Sequence, residues 1–310
     1  MGKYIVRRLL WAVVVVLCVS AITFFITFVI PADPAKQIAG PHATPQVLAT
    51  IRHQLGLDKP VYYQYGLYLW HLVHANLGYS YINQLPVTQS ILQRFPATVM
   101  IAVFGILFEL LIGIPIGMIS ALRQYRAEDR AATIFSLVFV SMPSFFLGML
   151  LLYFFAFRVN VFPNMGAYPG AAHPLYFVLP GLTLGLTGAA WYSRMLRSKM
   201  LDILNAEYVK AARAKGLPER IVVWRHIMRN AWSPIITLLG MDIGWFLGGV
   251  VIVEIVFGVP GIGWQAWQAI QNLDHPVIMG TVEFAALLVV LANLVTDIAY
   301  TWLDPRVKYS

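Results

Sequence analysis

Charge, cysteine and catalytic signatures are all scarce in this 310-residue chain. Charged residues make up 12% of it, about half the soluble average, while 59% is hydrophobic and mean hydropathy is +0.70. This balance excludes an ordinary soluble globular domain. The single cysteine, Cys18, excludes an intrachain disulfide and says almost nothing about compartment. No phosphate-binding loop of the form GxxxxGK[ST] occurs, and the nearest Gly-rich text, "GVPGIG" from Gly258 to Gly263, has no lysine after it. Scattered Ser, His and Asp make no nucleophile arrangement, so no catalytic residue is expected. His71 and His74, three apart on a helix, amount to half of a metal site and lack a third ligand at sensible spacing. No metal or cofactor site is therefore expected in this chain. The net charge of +8 resembles a nucleic-acid signal, but neither a soluble basic face nor a recognisable module accompanies it, so no nucleic-acid partner is expected.

What is abundant is long apolar runs. Crossing roughly 30 Å of hydrocarbon takes about 20 helical residues. Six segments qualify: 9–30, 97–122, 132–157, 175–193, 233–256 and 280–302. The fourth is the shortest and is rich in Gly and Pro. The first begins like a signal peptide, but its apolar part from Leu9 to Ile30 is longer than a signal-peptide core and no small-x-small site closes it, so it reads as a retained span. The expected fold class is thus an all-α integral membrane protein with six transmembrane helices.

The basic residues orient those spans. With the N-terminus inside, the cytoplasmic pieces hold Lys3, Arg7 and Arg8, then Arg123, Arg126 and Arg130, then nine Lys or Arg between Arg194 and Arg229, then Arg306 and Lys308. The opposite side holds four in 31–96 and Arg158, and the stretch 257–279 has none. Excess Lys and Arg on short cytoplasmic loops predicts an N-in, C-in topology. Residues 1–30 then form a cytoplasmic N-terminus and first span, 31–96 an external cap segment, and 97–310 a five-helix core with a cytoplasmic loop at 194–232. Within the cap, Thr44 and Pro45 open a helix through about Leu55, Gly56 ends it, and Pro60 opens another through "VYYQYGLYLWHLVH". Tyr62, Tyr63, Tyr65, Tyr68 and Trp70 suit a membrane boundary, where the cap meets lipid.

Acids inside apolar segments require compensation, because a lone charge there costs about 2.5–3.5 kcal/mol on insertion scales. Glu109, Asp242, Glu254, Glu283 and Asp297 lie within or at the ends of the spans. Helix contacts, a polar passage and proton coupling all account for such residues. Asp242, central in the fifth span, reads best as part of a passage or an interface between subunits. Glu254 and Glu283 lie nearer the external end and read as interfacial anchors. Gly113, Pro115 and Gly117, Pro143 and Gly148, and Pro180, Gly181, Gly185 and Gly188 interrupt the middle spans, which suits a bundle that rocks between two states.

The least oily stretch is "EYVKAARAKGLPERIVVWRHIMRNAWSP", Glu207 to Pro234. Tyr208, Ala211 and Ala212 are predicted to share a helical face, Gly216 to supply a left-handed turn, and Pro218 with Glu219 to open a second helix. That second helix sets Ile221, Val222, Trp224, Ile227 and Met228 against Arg220, Arg225, His226 and Arg229. A helix, a tight corner and a second helix fit either an amphipathic element on anionic lipid or a rigid knob for a cytoplasmic partner.

This stretch resembles the cytoplasmic "EAA…G" loop of permease subunits of ATP-binding cassette importers. The likeness is closest to the dipeptide/oligopeptide permeases and their nickel-transporting relatives. "MGKYIVRRLL", "ITFFITFVIPADP", "LGLDKPVYYQYGLYL", "LGYS", "RFPATV", "GIPIGMISALRQ", "SMPSFFLGMLL", "LPGLTLG", "VIVEIVFGVPGIGWQAWQAI" and "YTWLDPRVKY" extend it over nearly the whole chain. The resemblance implies the ABC importer permease fold in a bacterial inner membrane. It further implies a second homologous permease, two cytoplasmic ATPase subunits that bind ATP and Mg, and an external substrate-binding protein. Glu207, Ala211, Ala212 and Gly216 match the motif positions that couple to the ATPase. Tyr208 and Val209 follow Glu207 where the usual motif has its first alanine, and the paired alanines fall at 211 and 212. An ion-coupled transporter acting alone and a noncatalytic membrane scaffold are the alternatives. The first calls for an internal repeat, which the sequence does not display.

Overall fold

A computed structural model describes residues 2–29, 34–40, 42–54, 56–163 and 173–303. Among the described residues all regular structure is helical, apart from one isolated bridge between Tyr79 and Pro86. The helices are α1 (Gly2–Val29), α2 (Pro34–Ala39), α3 (Pro45–Gln54), α4 (Val61–Val73), α5 (Val87–Leu122), α6 (Ala127–Ser141) and α7 (Ser144–Leu151), the last running into a π-helical turn at Leu152–Arg158. Then follow α8 (Leu175–Leu204), α9 (Glu207–Ala214), the short α10 (Glu219–Ile221), a π-helical turn at Val222–Ile227, α11 (Met228–Leu247), α12 (Val251–Phe257), α13 (Ile262–Gln271) and α14 (His275–Leu303).

Among the described residues four stretches are long and apolar enough to cross a membrane: Val6–Thr27, Val87–Leu122, Leu175–Leu204 and His275–Asp297. Two bent pairs raise the number to six if each counts as one span. The short fourth segment proves to be a continuous 30-residue helix that accommodates Pro180. The third, expected as one span over 132–157 interrupted by Pro143 and Gly148, is two helices meeting at 105°. Pro143 is the cause: it cannot donate to the preceding turn, and it drives Met142 into an extended conformation (φ −83°, ψ 122°). Likewise the run 233–256 is bent by 58° between α11 and α12, where Gly249 adopts φ +108°.

The chain forms two compact units. One comprises residues 1–98, 247–251 and 260–290. In it α4 lies against α1, with Tyr65 and Tyr68 beside Phe24 and the Tyr65 hydroxyl 3.0 Å from that of Ser20. As expected from sequence, α3 begins after Thr44, whose hydroxyl accepts from the Val47 amide, and Gly56 follows its end at φ +68°. Tyr62, Tyr63 and Trp70 are exposed on α4. A small core joins Val87 and Ile91 of α5 to Ile262 and Ala269 of α13 and Val277 of α14. Asp274 ties this core to the turn before α5, accepting from the Ser80 hydroxyl at 2.5 Å and the Tyr81 amide at 3.1 Å. Burial, with the Asp274 charge nearby, pushes the Tyr81 phenol up to about 12.

The other unit comprises residues 99–246, 252–259 and 291–310. Its α6 and α7 pack on α8, and a buried cluster runs from Ala121 through Tyr192, Leu196 and Met200 to Val209, Val222, Ile227 and Ile235. Helices α5 and α8 approach closely through glycine: a Cβ on Gly113 would stand 2.8 Å from Cβ of Tyr192, and one on Gly117 would stand 2.7 Å from the Ser193 carbonyl oxygen. Small residues that admit a neighbouring backbone are a standard means of packing helices in lipid, where apolar burial provides no net drive. Gly113 and Gly117 thus let the two helices pack backbone to backbone.

Candidate functional site

Helix α9 lies at the edge of the large cluster with Glu207 in its first turn. Only Val209 and Ala212, three residues apart on one face, are buried. Tyr208 and Ala211, expected on that same face, are exposed instead; offsets of three and four bring residues near one another but leave Ala211 on the flank. The Tyr208 hydroxyl accepts a 3.0 Å hydrogen bond from the Asn230 amide of α11. Glu207 accepts from Lys210 at 2.9 Å and is almost wholly open to solvent.

The helix ends in a left-handed turn at Gly216 (φ +76°), whose amide donates to the Arg213 carbonyl at 2.9 Å. An L side chain at that φ is strained although nothing stands within 4 Å of where its Cβ would be. Pro218, extended at ψ 141°, starts the next helix. Across the corner Arg213 donates two hydrogen bonds to Glu219, at 2.6 and 3.2 Å, a fork-to-carboxylate pair that closes the turn. Glu219 holds the Arg213 guanidinium above its ordinary pKa through that hydrogen bond.

The second helix departs from its predicted face. Val222, Val223, Ile227 and Met228 are buried, while Ile221 and Trp224 are exposed. The π-helical turn at Val222–Ile227 changes the register: with hydrogen bonds that run between residues five apart, Val222 and Val223 share the buried face with Ile227 and Met228. A 3.6-residue period read from sequence cannot anticipate that shift.

The acids divide into distinct settings. Asp242, on α11, is half-buried and accepts a 2.7 Å hydrogen bond from the Tyr192 hydroxyl of α8. Glu109, on α5, is 2% exposed, interacts electrostatically with Asp242, and has one carboxylate oxygen without a hydrogen-bond partner. Its side chain occupies the space left by Gly188. Glu254 and Glu283, expected as interfacial anchors, are buried, at 0% and 3% exposure. Glu283 approaches the Tyr68 hydroxyl. Asp297 is half-buried on α14.

A further group escaped the sequence reading. Asp129, at the start of α6, accepts from Arg197 Nε at 2.7 Å and a second Arg197 nitrogen at 2.8 Å, from the Ser120 hydroxyl at 2.5 Å and from the Tyr125 amide at 2.9 Å. One buried carboxylate thereby joins the end of α5, the turn after it, α6 and α8. The only sequence signal was an acid in a first helical turn, which ordinarily signifies no more than a favourable helix dipole. Among the described residues no group of three His, Cys, Asp or Glu is arranged to hold a metal. His74, one of the paired histidines, instead makes a 2.8 Å contact with the Trp70 carbonyl.

Comparison with known proteins assigns a family to this apolar multi-helix chain with its charged helical corner. Residues 113–309 match the family described as "Binding-protein-dependent transport system inner membrane component", and residues 1–102 its N-terminal companion. "Glutathione transport system permease protein GsiC" of Salmonella choleraesuis (strain SC-B67) is 36% identical over 309 residues, covering 100% of both chains. The protein of that name from Escherichia coli (strain K12) is 35% identical with the same coverage. A solved structure described as inward facing conformations of the MetNI methionine ABC transporter aligns with a TM-score of 0.55 at 17% identity, covering 69% of this chain and 96% of that one, a likeness of fold. The chain belongs to the binding-protein-dependent transport permeases, in the peptide, nickel and glutathione branch of ABC importers. It is accordingly a multi-pass permease subunit of a bacterial inner membrane and not an enzyme. The alternatives of an ion-coupled carrier acting alone and of a passive scaffold fall away with that membership.

Proposed function

We propose that this chain forms one half of the translocation pathway of an ATP-driven importer for dipeptides, oligopeptides or a chemically related small solute. A second homologous permease supplies the other half. Two cytoplasmic ATPase subunits bind ATP and Mg, and an external binding protein delivers the solute. The glutathione named in its relatives is itself a short peptide, which supports a peptide-like cargo. The N- and C-termini lie on the cytoplasmic side, a reading supported by the distribution of Lys and Arg. Residues 1–30 form the cytoplasmic start and first span, 31–96 an external cap that receives the binding protein or seals the passage, and 97–310 the permease core with its coupling loop at 194–232.

Glu207, Ala211, Ala212 and Gly216 constitute the coupling corner. One observation carries this reading: α9 seats only Val209 and Ala212 in its own bundle and leaves Glu207, Ala211 and Gly216 open on a corner closed by Arg213 and Glu219. Such a corner is small at its tip, stiff, and continuous with α11 through the π-helical turn. ATP-driven closure of the ATPase pair displaces the corner, and α11 passes the displacement to Asp242 and Tyr192 in the passage or at the permease interface. The test is uptake by the reconstituted transporter carrying Gly216→Pro. Proline cannot adopt φ +76° and lacks the amide that donates to Arg213. Expected is a complex that assembles yet loses most ATP-driven uptake; full uptake by the assembled variant overturns the coupling role.

A further inference from the structure

A pocket of about 340 Å³ opens between α6 and α8, lined by Ser120, Thr133, Ser136, Leu137, Ser193, Arg194, Arg197 and Ser198 among others. We propose that it binds the phosphate headgroup of an anionic phospholipid, whose acyl chains then lie along α6.

The charge in the pocket is net positive. Arg197 is neutralised by Asp129, and that carboxylate is in turn saturated by four donors, so no uncompensated acid lines the wall. Arg194 is exposed and its charge remains unmatched in the pocket. It stands three residues before Arg197 and four before Ser198, so all three share one face of α8. Guanidinium and hydroxyl groups together make a fitting recess for phosphate oxygens. Deeper in, the Ser136 and Ser193 hydroxyls bond each other at 2.9 Å and close the neutral end of the recess. Arg123 and Arg126, between α5 and α6, and Arg130, near the start of α6, lie at this same end of the helices.

An inorganic anion would be satisfied by the recess alone. Here the polar wall continues into an apolar one: Leu137 lines the pocket yet is 53% exposed, and Ile134 and Val138, on the same face of α6, are 62% and 45% exposed. A headgroup recess continuous with an open aliphatic strip fits a molecule that is anionic at one end and hydrocarbon at the other. Basic pockets between transmembrane helices commonly hold acidic lipid headgroups.

The test isolates the transporter from membranes through a tag on this chain and measures retained phosphatidylglycerol by native mass spectrometry, with wild type, Arg194→Gln and Arg194→Gln/Ser198→Ala compared. Arg130→Gln serves as a control for loose attraction to surface charge. Expected is phosphatidylglycerol retained by wild type and Arg130→Gln and reduced roughly tenfold by Arg194→Gln, the scale of one lost charge-assisted hydrogen bond. Phosphatidylglycerol with a photoactivatable acyl chain should label the peptide containing residues 134–138. Co-isolation of the other subunits establishes that each variant is folded. Equal retention by wild type and Arg194→Gln, or an equal loss in Arg130→Gln, overturns the site. So does displacement of the lipid by millimolar inorganic phosphate, which assigns the recess to a free anion. Crosslinking of Leu137→Cys to a second permease without lipid labelling assigns the groove to a protein contact and overturns it equally.

Discussion

Asp129 and Glu109 are both buried carboxylates of the same helical unit, and they are treated in opposite ways. Asp129 has every lone pair engaged and joins four chain segments; Glu109 leaves one oxygen without a hydrogen-bond partner, lies in the space left by Gly188, and has a second acid, Asp242, in its electrostatic surroundings. A fully satisfied buried charge serves as a fastener, because removing either member leaves the other stranded in low dielectric. An unsatisfied one costs stability, and a protein retains it for another reason. The difference separates the fastened part of this unit from the part near Asp242 and Tyr192, where solute is proposed to pass or a second permease to pack.

The sharpest way to break this comparison is Asp129→Ala. It strands Arg197 and should lower the stability of the purified chain by about 3 kcal/mol, seen as an early loss of folded protein on heating in detergent. Next in size is Gly188→Ala, whose methyl group would collide with the Glu109 carboxylate; a loss of about 1–3 kcal/mol is expected. If that collision is the cause, adding Glu109→Ala should recover part of the loss, so the double variant is less destabilised than the two single changes summed. Smallest is Glu109→Gln, which replaces the carboxyl group by an amide at constant volume and should change stability by less than about 1 kcal/mol, in either direction. A loss as large as that of Asp129→Ala would erase the distinction. Transport by the same Glu109→Gln variant sharpens it, since reduced uptake at unchanged stability marks the acid as one held for function.

Sequence reading located the helices because long apolar runs, Thr44 with Pro45, Gly56, Pro60 and Gly216 are local signals. It also located the corner at 216, which depends on one residue's conformational range. Three features lay beyond it. The 105° break at Pro143 looked like a tolerable interruption of a span, since proline within a transmembrane helix either bends or breaks it according to its neighbours. The π-helical turn at Val222–Ile227 shifted the buried face by a register that a helical period does not encode. The Asp129–Arg197 pair joins residues 68 positions apart, and only folding reveals that two members of an apparently basic loop and an acidic first turn meet. The functional reading came from resemblance over the whole chain, while the physical reading of the residues left both a lipid-surface helix and a docking knob standing and could not name the knob's partner.

The coupling role of the corner is tested most directly by accessibility. In a Cys18→Ser background, which removes the exposed native thiol, Ala211→Cys provides a single probe at the exposed flank of α9. Maleimide labelling of inside-out membrane vesicles is then compared with and without the ATPase subunits. Strong labelling of the stripped permease, suppressed when the ATPases are bound and modulated by ATP, is the predicted result. Labelling at the same rate with and without them, or only from the opposite face of the membrane, would contradict the claim that this corner is where the motor grips.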